Sequence, residues 1–299
     1  MRLMRAKLQS YRSIRDTGWF EVERDKTILV GPNEAGKTAL LRALQQINPP
    51  TEVQKFDALR DYPRALYNDI TTKKVDPSQV TVAQAVFSLD EGDKKAIADE
   101  LKDVQYEIGR YMDNKCWHRL LNAPSIPTYG SVKKDLARLC AHIDPRVKPA
   151  AEGAPPNKLS SEELAKVTNG WEDAKSLTVD AGKALQSWLD RNAAAIAEDD
   201  EKEGARFDKL ITACRAGAQH AAALAELHKR LPVFVLFSNY FRVRPLIHLD
   251  HLASRLEQRI LDDDQYDYGN QCLLKLLGFA ARELSNLGKA TEPKATLMR

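Results

Sequence analysis

The stretch that decides the fold lies near the start of the chain. It reads Gly31-Pro32-Asn33-Glu34-Ala35-Gly36-Lys37-Thr38 and fits the phosphate-binding pattern G-x-x-x-x-G-K-[S/T] at every defined position. The apolar run 27–30 before it predicts a strand, and the spacing of Leu40, Leu44 and Ile47 after it predicts a helix that begins near Gly36. A strand, a glycine-rich loop and a helix in this order are typical of a P-loop.

The chemistry of the motif gives a role to each residue type. Gly31 and Gly36 are expected to permit backbone angles that a side chain opposes, so that successive N–H groups point at phosphate oxygens. Lys37 is expected to reach the β- and γ-phosphates of ATP, and the Thr38 hydroxyl is expected to bind Mg²⁺. The predicted residues that bind these cofactors are Gly31, Pro32, Asn33, Glu34, Ala35, Gly36, Lys37 and Thr38.

Strand patterns lie on both sides of this motif. Residues 3–8 predict one strand, a second is expected around Trp19–Val22, and a third over Val80–Leu89. Asp90 is a suitable N-cap for a helix that follows the third strand.

The middle of the chain predicts helices. Residues 93–143 carry apolar residues at helical spacing, with a break at 124–130, where two prolines and a glycine occur. Residues 144–158 contain several prolines and predict a linker. Helices are expected to resume with a capping box, formed by Ser160 with Glu163 or by Ser161 with Glu162 and Glu163, and to continue, rich in alanine, to about residue 230.

The last part of the chain predicts a strand and helices that belong to the same lobe as the P-loop. Val233–Phe237 is a continuous apolar run and predicts a buried strand, while 252–261 and 272–287 predict helices. The expected fold class is α/β: a P-loop NTPase lobe of ABC/SMC type, with a mixed sheet and a large helical insertion. The expected parts are the P-loop lobe at 1–99, the helical insertion at 100–230, and the return strand, its helices and the start of a helical arm at 231–299.

Residues 1–48 resemble the ABC-type ATPases of the SMC, RecF and OLD-nuclease group. In that group a strand leads to an Asn-Phe-Arg-Ser-like turn, here Ser10-Tyr11-Arg12-Ser13, and the loop carries a Pro-Asn pair, here Pro32-Asn33. Two later stretches, Val80–Ala98 and Leu231–Tyr240, resemble the OLD-like and SMC-like proteins more loosely. The resemblance implies that Arg12 lies near the nucleotide phosphates and that Asn33 lines the γ-phosphate side of the loop.

The resemblance also implies a function. It predicts an ATP-binding and ATP-hydrolysing protein that acts on DNA in repair or phage defence, in which ATP holds two heads together. An alternative remains open: a nucleotide-dependent interaction module without hydrolysis of its own. A third class, the P-loop kinases of small molecules, requires an acceptor site and lid arginines that we do not find in the sequence.

Such an ATPase head also needs a Walker B strand that ends in Asp-Glu and a glycine-containing signature loop. The nearest stretches depart from both patterns: Leu246–Asp250 is followed by His251, Ile260–Asp263 has too few apolar residues, and Leu159–Glu163 lacks the glycine. The catalytic residues therefore stay unknown. We expect the chain to lack the C-terminal half of the head, as a fragment, a truncated gene product or one half of a split head. The expected partner is a second copy in a homodimer, or a partner chain that supplies the missing half.

Composition bears on nucleic-acid binding, on membrane association and on the cellular location. The 45 basic and 42 acidic residues give a formal net charge of +3, which is too balanced to indicate nucleic-acid binding by bulk charge. A weak DNA-binding surface is nevertheless expected from a basic set at the start of the chain: Arg2, Arg5, Lys7, Arg12 and Arg15. The sequence shows no apolar run of membrane-spanning length and no signal-peptide pattern, and its 4 cysteines are scattered. A cytoplasmic location without a membrane partner is therefore expected.

Overall fold

The computed structural model describes residues 1–33, 35–51, 53–146, 159–196, 200–236, 246–258 and 264–289. The strands are β1 (Arg2–Tyr11), β2 (Ile14–Glu21), β3 (Thr81–Ser88), β4 (Gln105–Tyr111) and β5 (Cys116–Leu121). The helices are α1 (Lys37–Gln45), α2 (Ala58–Asp61), α3 (Tyr67–Thr71), α4 (Glu91–Lys95), α5 (Tyr129–Ile143), α6 (Ser160–Val167), α7 (Val179–Asn192), α8 (Glu201–Lys229), α9 (Leu249–Gln258), α10 (Asp264–Leu276) and α11 (Ala281–Lys289).

The described strands form a five-stranded antiparallel sheet with the order β2-β1-β3-β4-β5. The α/β class is confirmed, but the expectation of a mixed sheet is wrong for these strands. The reason lies in the connections, because β1–β2 and β4–β5 are joined by short turns, and short turns pair strands antiparallel.

The first hairpin follows the predicted strands closely. β1 and β2 pair antiparallel from Arg5 opposite Glu21 to Tyr11 opposite Ile14. Ala6 and Leu8 of β1 are fully buried, as the alternation of side chains along a strand requires. The hairpin ends in a two-residue turn that, as shown below, borders the P-loop.

Two other predicted strands do not form. Residues 27–30 form no strand, and two of their apolar side chains lie in solvent: Ile28 is 67% and Val30 is 91% exposed. The described part of Val233–Phe237, residues 233–236, is likewise not a strand, although the Phe234 N–H donates to the Asn48 carbonyl oxygen at 2.9 Å. An apolar run becomes a strand only when another strand pairs with it over several residues, and neither run is paired in this way with a described strand.

The helical prediction for residues 93–143 is wrong over 105–121, where β4 and β5 form a hairpin. The expected helical insertion at 100–230 thus contains two strands. The spacing of Val104, Tyr106 and Ile108 satisfies strand alternation as well, and all three side chains are buried. The break predicted at 124–130 is correct only in part: residues 124–128 are not helical, but they follow strand β5, and α5 already begins at Tyr129.

The predicted helix caps had different outcomes. Asp90 is the N-cap of α4 and forms a capping box with Asp93, as expected. The capping box at Ser160 is wrong: the N-cap of α6 is Leu159, and the buried Ser160 hydroxyl donates to Asn192 Oδ1 at 2.6 Å. Most of the predicted linker at 144–158 lies outside the described residues.

The chain divides into two compact units. One comprises Met1–Met4, Val86–Glu107 and His118–Leu231, and a core within it joins α5, α6, α7 and α8 around the fully buried Trp188. The other comprises Arg5–Ala85, Ile108–Trp117 and Pro232–Arg299, and it carries the glycine-rich motif. None of the described helices combines the length and apolarity that a membrane span needs.

Helices α7 and α8 approach each other through glycines. A Cβ added to Gly217 of α8 would lie 2.2 Å from the Leu177 carbonyl oxygen, and one added to Gly182 of α7 would lie 2.2 Å from the Cys214 carbonyl oxygen. A Cβ on Gly204, near the start of the same α8, would have nothing within 4 Å.

We predict that Gly217→Ala lowers the free energy of unfolding by about 1–3 kcal/mol, because the backbone of residue 177 must move to admit the methyl group. The matched variant Gly204→Ala is expected to raise it by up to about 1 kcal/mol, because alanine favours a helix over glycine. Denaturant unfolding followed by circular dichroism measures both. Equal midpoints for the two variants would contradict the close helix approach.

Candidate functional site

The start of α1 is prepared to bind an anion. Gly36 is its N-cap, with φ 89° in the left-handed region, no side chain caps the helix, and the first turn contains no acidic residue. The first N–H groups of the helix are therefore left to other partners, and the helix dipole adds a positive potential there. Phosphate is the anion that such helix starts bind most often after a glycine-rich loop.

The Lys37 side chain folds back over the loop. Its ammonium donates to the carbonyl oxygens of Gly31, at 2.6 Å, and Pro32, at 2.7 Å. These contacts place the positive charge above the loop rather than in solvent. A phosphate that binds to this loop would therefore contact the Lys37 ammonium.

The other motif residues lie open to solvent. Pro32, Asn33, Ala35 and Thr38 are exposed, and Glu34 lies outside the described residues. The expectation that both glycines need special angles holds for Gly36 alone, because Gly31 is not among the residues with positive φ. The backbone of the loop also turns on itself, with the Ala35 N–H donating to the Pro32 carbonyl oxygen at 3.3 Å.

These residues fit the cofactors that the motif implies. An uncapped helix start, a lysine ammonium above the loop and an exposed Thr38 hydroxyl supply the N–H donors, the cation and the oxygen ligand that a nucleotide triphosphate with Mg²⁺ requires. Bound Mg²⁺ would neutralise charge on the phosphate oxygens.

Arg12 lies in the turn of the β1–β2 hairpin, directly beside the P-loop. A Cβ added to Gly36 would lie 3.1 Å from the Ser13 hydroxyl oxygen and 4.0 Å from a side-chain carbon of Ile14. The Arg12 guanidinium itself donates to the Asp61 carboxylate, from Nε at 3.0 Å and from Nη2 at 2.9 Å. The predicted proximity of Arg12 to the phosphates stays a prediction, but its turn does border the loop.

The Asp61 carboxylate is 2% exposed and is held by several donors besides Arg12. Arg60 Nη2 donates at 2.9 Å and the Asp57 N–H at 3.0 Å. Burial is the largest influence on the Asp61 carboxyl and alone would raise its pKa, but the hydrogen bonds from Arg60, Asp57 and Arg12 outweigh it and lower the pKa. The charged network therefore stabilises the fold above the ordinary pKa of an aspartate and is lost as the pH falls through the lowered one.

Comparison with known proteins bears on this part of the chain. Residues 1–48 match a family model described as an AAA domain. The match covers β1, β2, the P-loop motif and α1, and it supports a nucleotide-binding P-loop ATPase in general. No curated protein matches the chain at a significant level.

Of the two acidic stretches nearest to a Walker B pattern, the structure describes Leu246–Asp250, and this stretch is not a strand. Asp250 lies in helix α9, and its carboxylate accepts hydrogen bonds from Arg282 at 2.9 Å and from Ser285 at 3.0 Å. Ile260–Asp263 lies outside the described residues. The stretch Leu159–Glu163 includes the N-cap and first residues of α6, so it is not a signature loop.

The predicted basic set is only partly free for DNA. Lys7 pairs with Asp16 at 3.2 Å, and Arg12 pairs with Asp61 as described. The Arg5 guanidinium lies 4.9 Å from the centre of the Trp19 ring, which is 40% exposed. Arg2 and Arg15 are exposed.

Two polar clusters of the structure were not predicted from the sequence. One is the Asp61 network, and the other is Tyr106, whose hydroxyl lies 2.9 Å from His118 Nδ1 and 3.1 Å from His228 Nδ1. Its members are 122 positions apart in the chain, so no spacing pattern indicates the cluster. The described residues contain no group of three or more His, Cys, Asp or Glu side chains arranged to bind a metal ion.

We predict that Gly36→Ala lowers the free energy of unfolding by about 1–2 kcal/mol, because an alanine pays for the left-handed conformation and its Cβ would crowd the Ser13 hydroxyl. Gly31→Ala is the control, because its Cβ would lie 3.4 Å from the Ala35 Cβ, an ordinary contact. Urea titrations of both variants measure the difference. A Gly36→Ala midpoint equal to that of the wild type would contradict the left-handed start of α1.

Proposed function

We propose that the chain is an ATP-binding P-loop protein of the SMC-like or OLD-like type, with ATP and Mg²⁺ as its cofactors. The observation that carries the proposal is the arrangement at the start of α1. There, a left-handed Gly36 begins an uncapped helix, and the Lys37 ammonium lies over the loop carbonyls. The AAA-domain match over residues 1–48 supports the same class.

We further propose that the ATP site is completed by a second polypeptide, either another copy of this chain or a partner chain. The exposed apolar side chains of Ile28 and Val30 support this proposal, because they directly precede the loop and pack against no described strand. Apolar side chains that are left exposed beside a binding loop favour contact with another chain. A partner chain that pairs a strand with residues 27–30 would also bring the carboxylates that the described loop surroundings do not supply.

Hydrolysis separates this proposal from its alternative. If a second polypeptide supplies the catalytic carboxylates, the completed assembly hydrolyses ATP and the isolated chain does so slowly or not at all, because electrostatic stabilisation and water positioning together provide most of the rate. If the chain is a nucleotide-dependent interaction module, ATP is bound without phosphate release in either state. We favour the first, because residues 27–30 retain the apolar pattern of a strand although they pair with no described strand.

DNA is the proposed substrate, in repair or phage defence. The support from the chain is a small surface on the β1–β2 hairpin, where the cationic Arg5 lies over the exposed ring of Trp19. The exposed Arg15 is a second cation of this hairpin, at a separate position on β2. Arginine and an aromatic ring together contact phosphates and bases without a sequence preference.

We predict that Lys37→Ala abolishes Mg-ATP binding and leaves the fold intact, because the variant removes the ammonium over the loop but no buried group. Isothermal titration calorimetry measures binding, and circular dichroism establishes that the variant is folded. Lys166→Ala, which removes an exposed lysine from α6, is the control and is expected to bind like the wild type. Equal ATP affinities of wild type and Lys37→Ala would remove the proposal.

We predict weak DNA binding that decreases steeply between about 50 and 200 mM salt, because phosphate contacts release counterions. Arg5→Glu with Arg15→Glu is expected to weaken binding evenly across unrelated duplexes, whereas Lys7→Glu is expected to matter less, because Asp16 already balances its charge. Fluorescence anisotropy measures both. Binding that ignores the double reversal would place the DNA surface elsewhere.

A further inference from the structure

The turn between β1 and β2 contacts two parts of the same compact unit. On one side lies the P-loop, where the Ser13 hydroxyl oxygen approaches the Cβ position of Gly36 to 3.1 Å. On the other side lies Asp61, whose carbonyl oxygen accepts from the Arg12 N–H at 2.6 Å and whose carboxylate accepts from the guanidinium. The turn therefore connects Asp61 to the nucleotide loop through a few atoms.

The turn adopts its shape at an energetic cost. Arg12 has φ 51°, in the left-handed region that side chains other than glycine and asparagine rarely adopt. Such a conformation costs about 1–2 kcal/mol and persists where surrounding contacts fix it. The contacts that fix it are the two-sided attachment to Asp61, through the main chain and through the guanidinium.

Asp61 leaves part of the guanidinium unused. An arginine carries five N–H donors. The Asp61 carboxylate accepts hydrogen bonds from Nε and Nη2 of Arg12, and Nη1 makes no hydrogen bond to a described residue. The Arg12 side chain is 34% exposed and that of Asp61 is 2% exposed, so the arginine reaches solvent from a buried anchor. A rigid, partly exposed guanidinium beside a P-loop suits a phosphate oxyanion.

We propose that Asp61 is a positioning residue of the nucleotide site, which fixes the Arg12–Ser13 turn against Gly36 and aims Nη1 of Arg12 at the phosphate chain of a nucleoside triphosphate. This inference rests on the proposed ATP binding. Asp61 itself does not touch the nucleotide. Its partner Arg60 binds the same carboxylate but does not contact the turn through any described hydrogen bond.

The test is a double-mutant cycle on Mg-ATP affinity, measured by calorimetry on folded full-length chains. Asp61→Ala is expected to weaken ATP binding about tenfold, the equivalent of one charge-assisted hydrogen bond. The same substitution in an Arg12→Ala background is expected to change affinity less than about twofold, because the residue through which Asp61 acts is gone. Arg60→Ala, the matched control, is expected to bind ATP like the wild type.

The outcomes separate this inference from the proposed function. If the wild type binds no ATP, the proposed function fails; if Lys37→Ala loses binding while Asp61→Ala keeps it, the function stands and the inference is overturned. If Asp61 had only a structural role, Asp61→Ala would weaken ATP affinity equally in the wild-type and Arg12→Ala backgrounds, and that result also overturns the inference. If Asp61→Ala does not fold, the ATP affinity of Arg12→Lys is measured instead. This variant keeps the charge but cannot donate from two nitrogens, so an unchanged affinity overturns the inference and a loss of affinity supports it.

Discussion

The backbone conformation of Gly36 is the constraint on which the candidate site depends. With φ 89° it starts α1 without a side-chain cap, and without a Cβ it lets the Ser13 hydroxyl approach closely. The helix start, the position of Lys37 and the contact with the β1–β2 turn all follow from this one residue. A residue with a side chain would be strained at the left-handed angle, and its Cβ would crowd the Ser13 hydroxyl.

Two features of different character border this site. In the first, the buried Asp61 carboxylate accepts hydrogen bonds from Arg12 and Arg60. In the second, the apolar side chains of Ile28 and Val30 are exposed immediately before the loop. A P-loop normally follows a strand that is buried in a sheet, so the exposed run is the structural basis for proposing that another polypeptide completes the site.

The parts of the fold that were predicted correctly are local. The strands at 3–8 and Val80–Leu89, the helix after Gly36 and the N-cap at Asp90 each rest on periodicity or capping within a few residues. The errors lie where distant partners decide. Residues 105–121 satisfy helical and strand spacing equally well, and the packing of Trp117 against Gly109 across the β4–β5 hairpin favours the strands: a Cβ on Gly109 would lie 2.3 Å from the ring.

Residues 27–30 show the opposite effect. Their pattern is that of a strand, yet no described segment pairs with them, so they stay extended and exposed. Ser160 shows a third case, because its hydroxyl bonds to Asn192 rather than capping its own helix. In each case the local preference is worth at most about 1 kcal/mol, and the presence or absence of a distant partner outweighs it.

The sequence by itself determined the chemistry of the site. The spacing of Gly31, Gly36, Lys37 and Thr38 determines which groups a phosphate meets, because a loop of eight residues brings them together without help from the rest of the chain. Only the tertiary structure decided what surrounds that loop. Asp61 lies 49 positions from Arg12, and a contact across such a distance is selected by the packing of the whole unit, which no local pattern encodes.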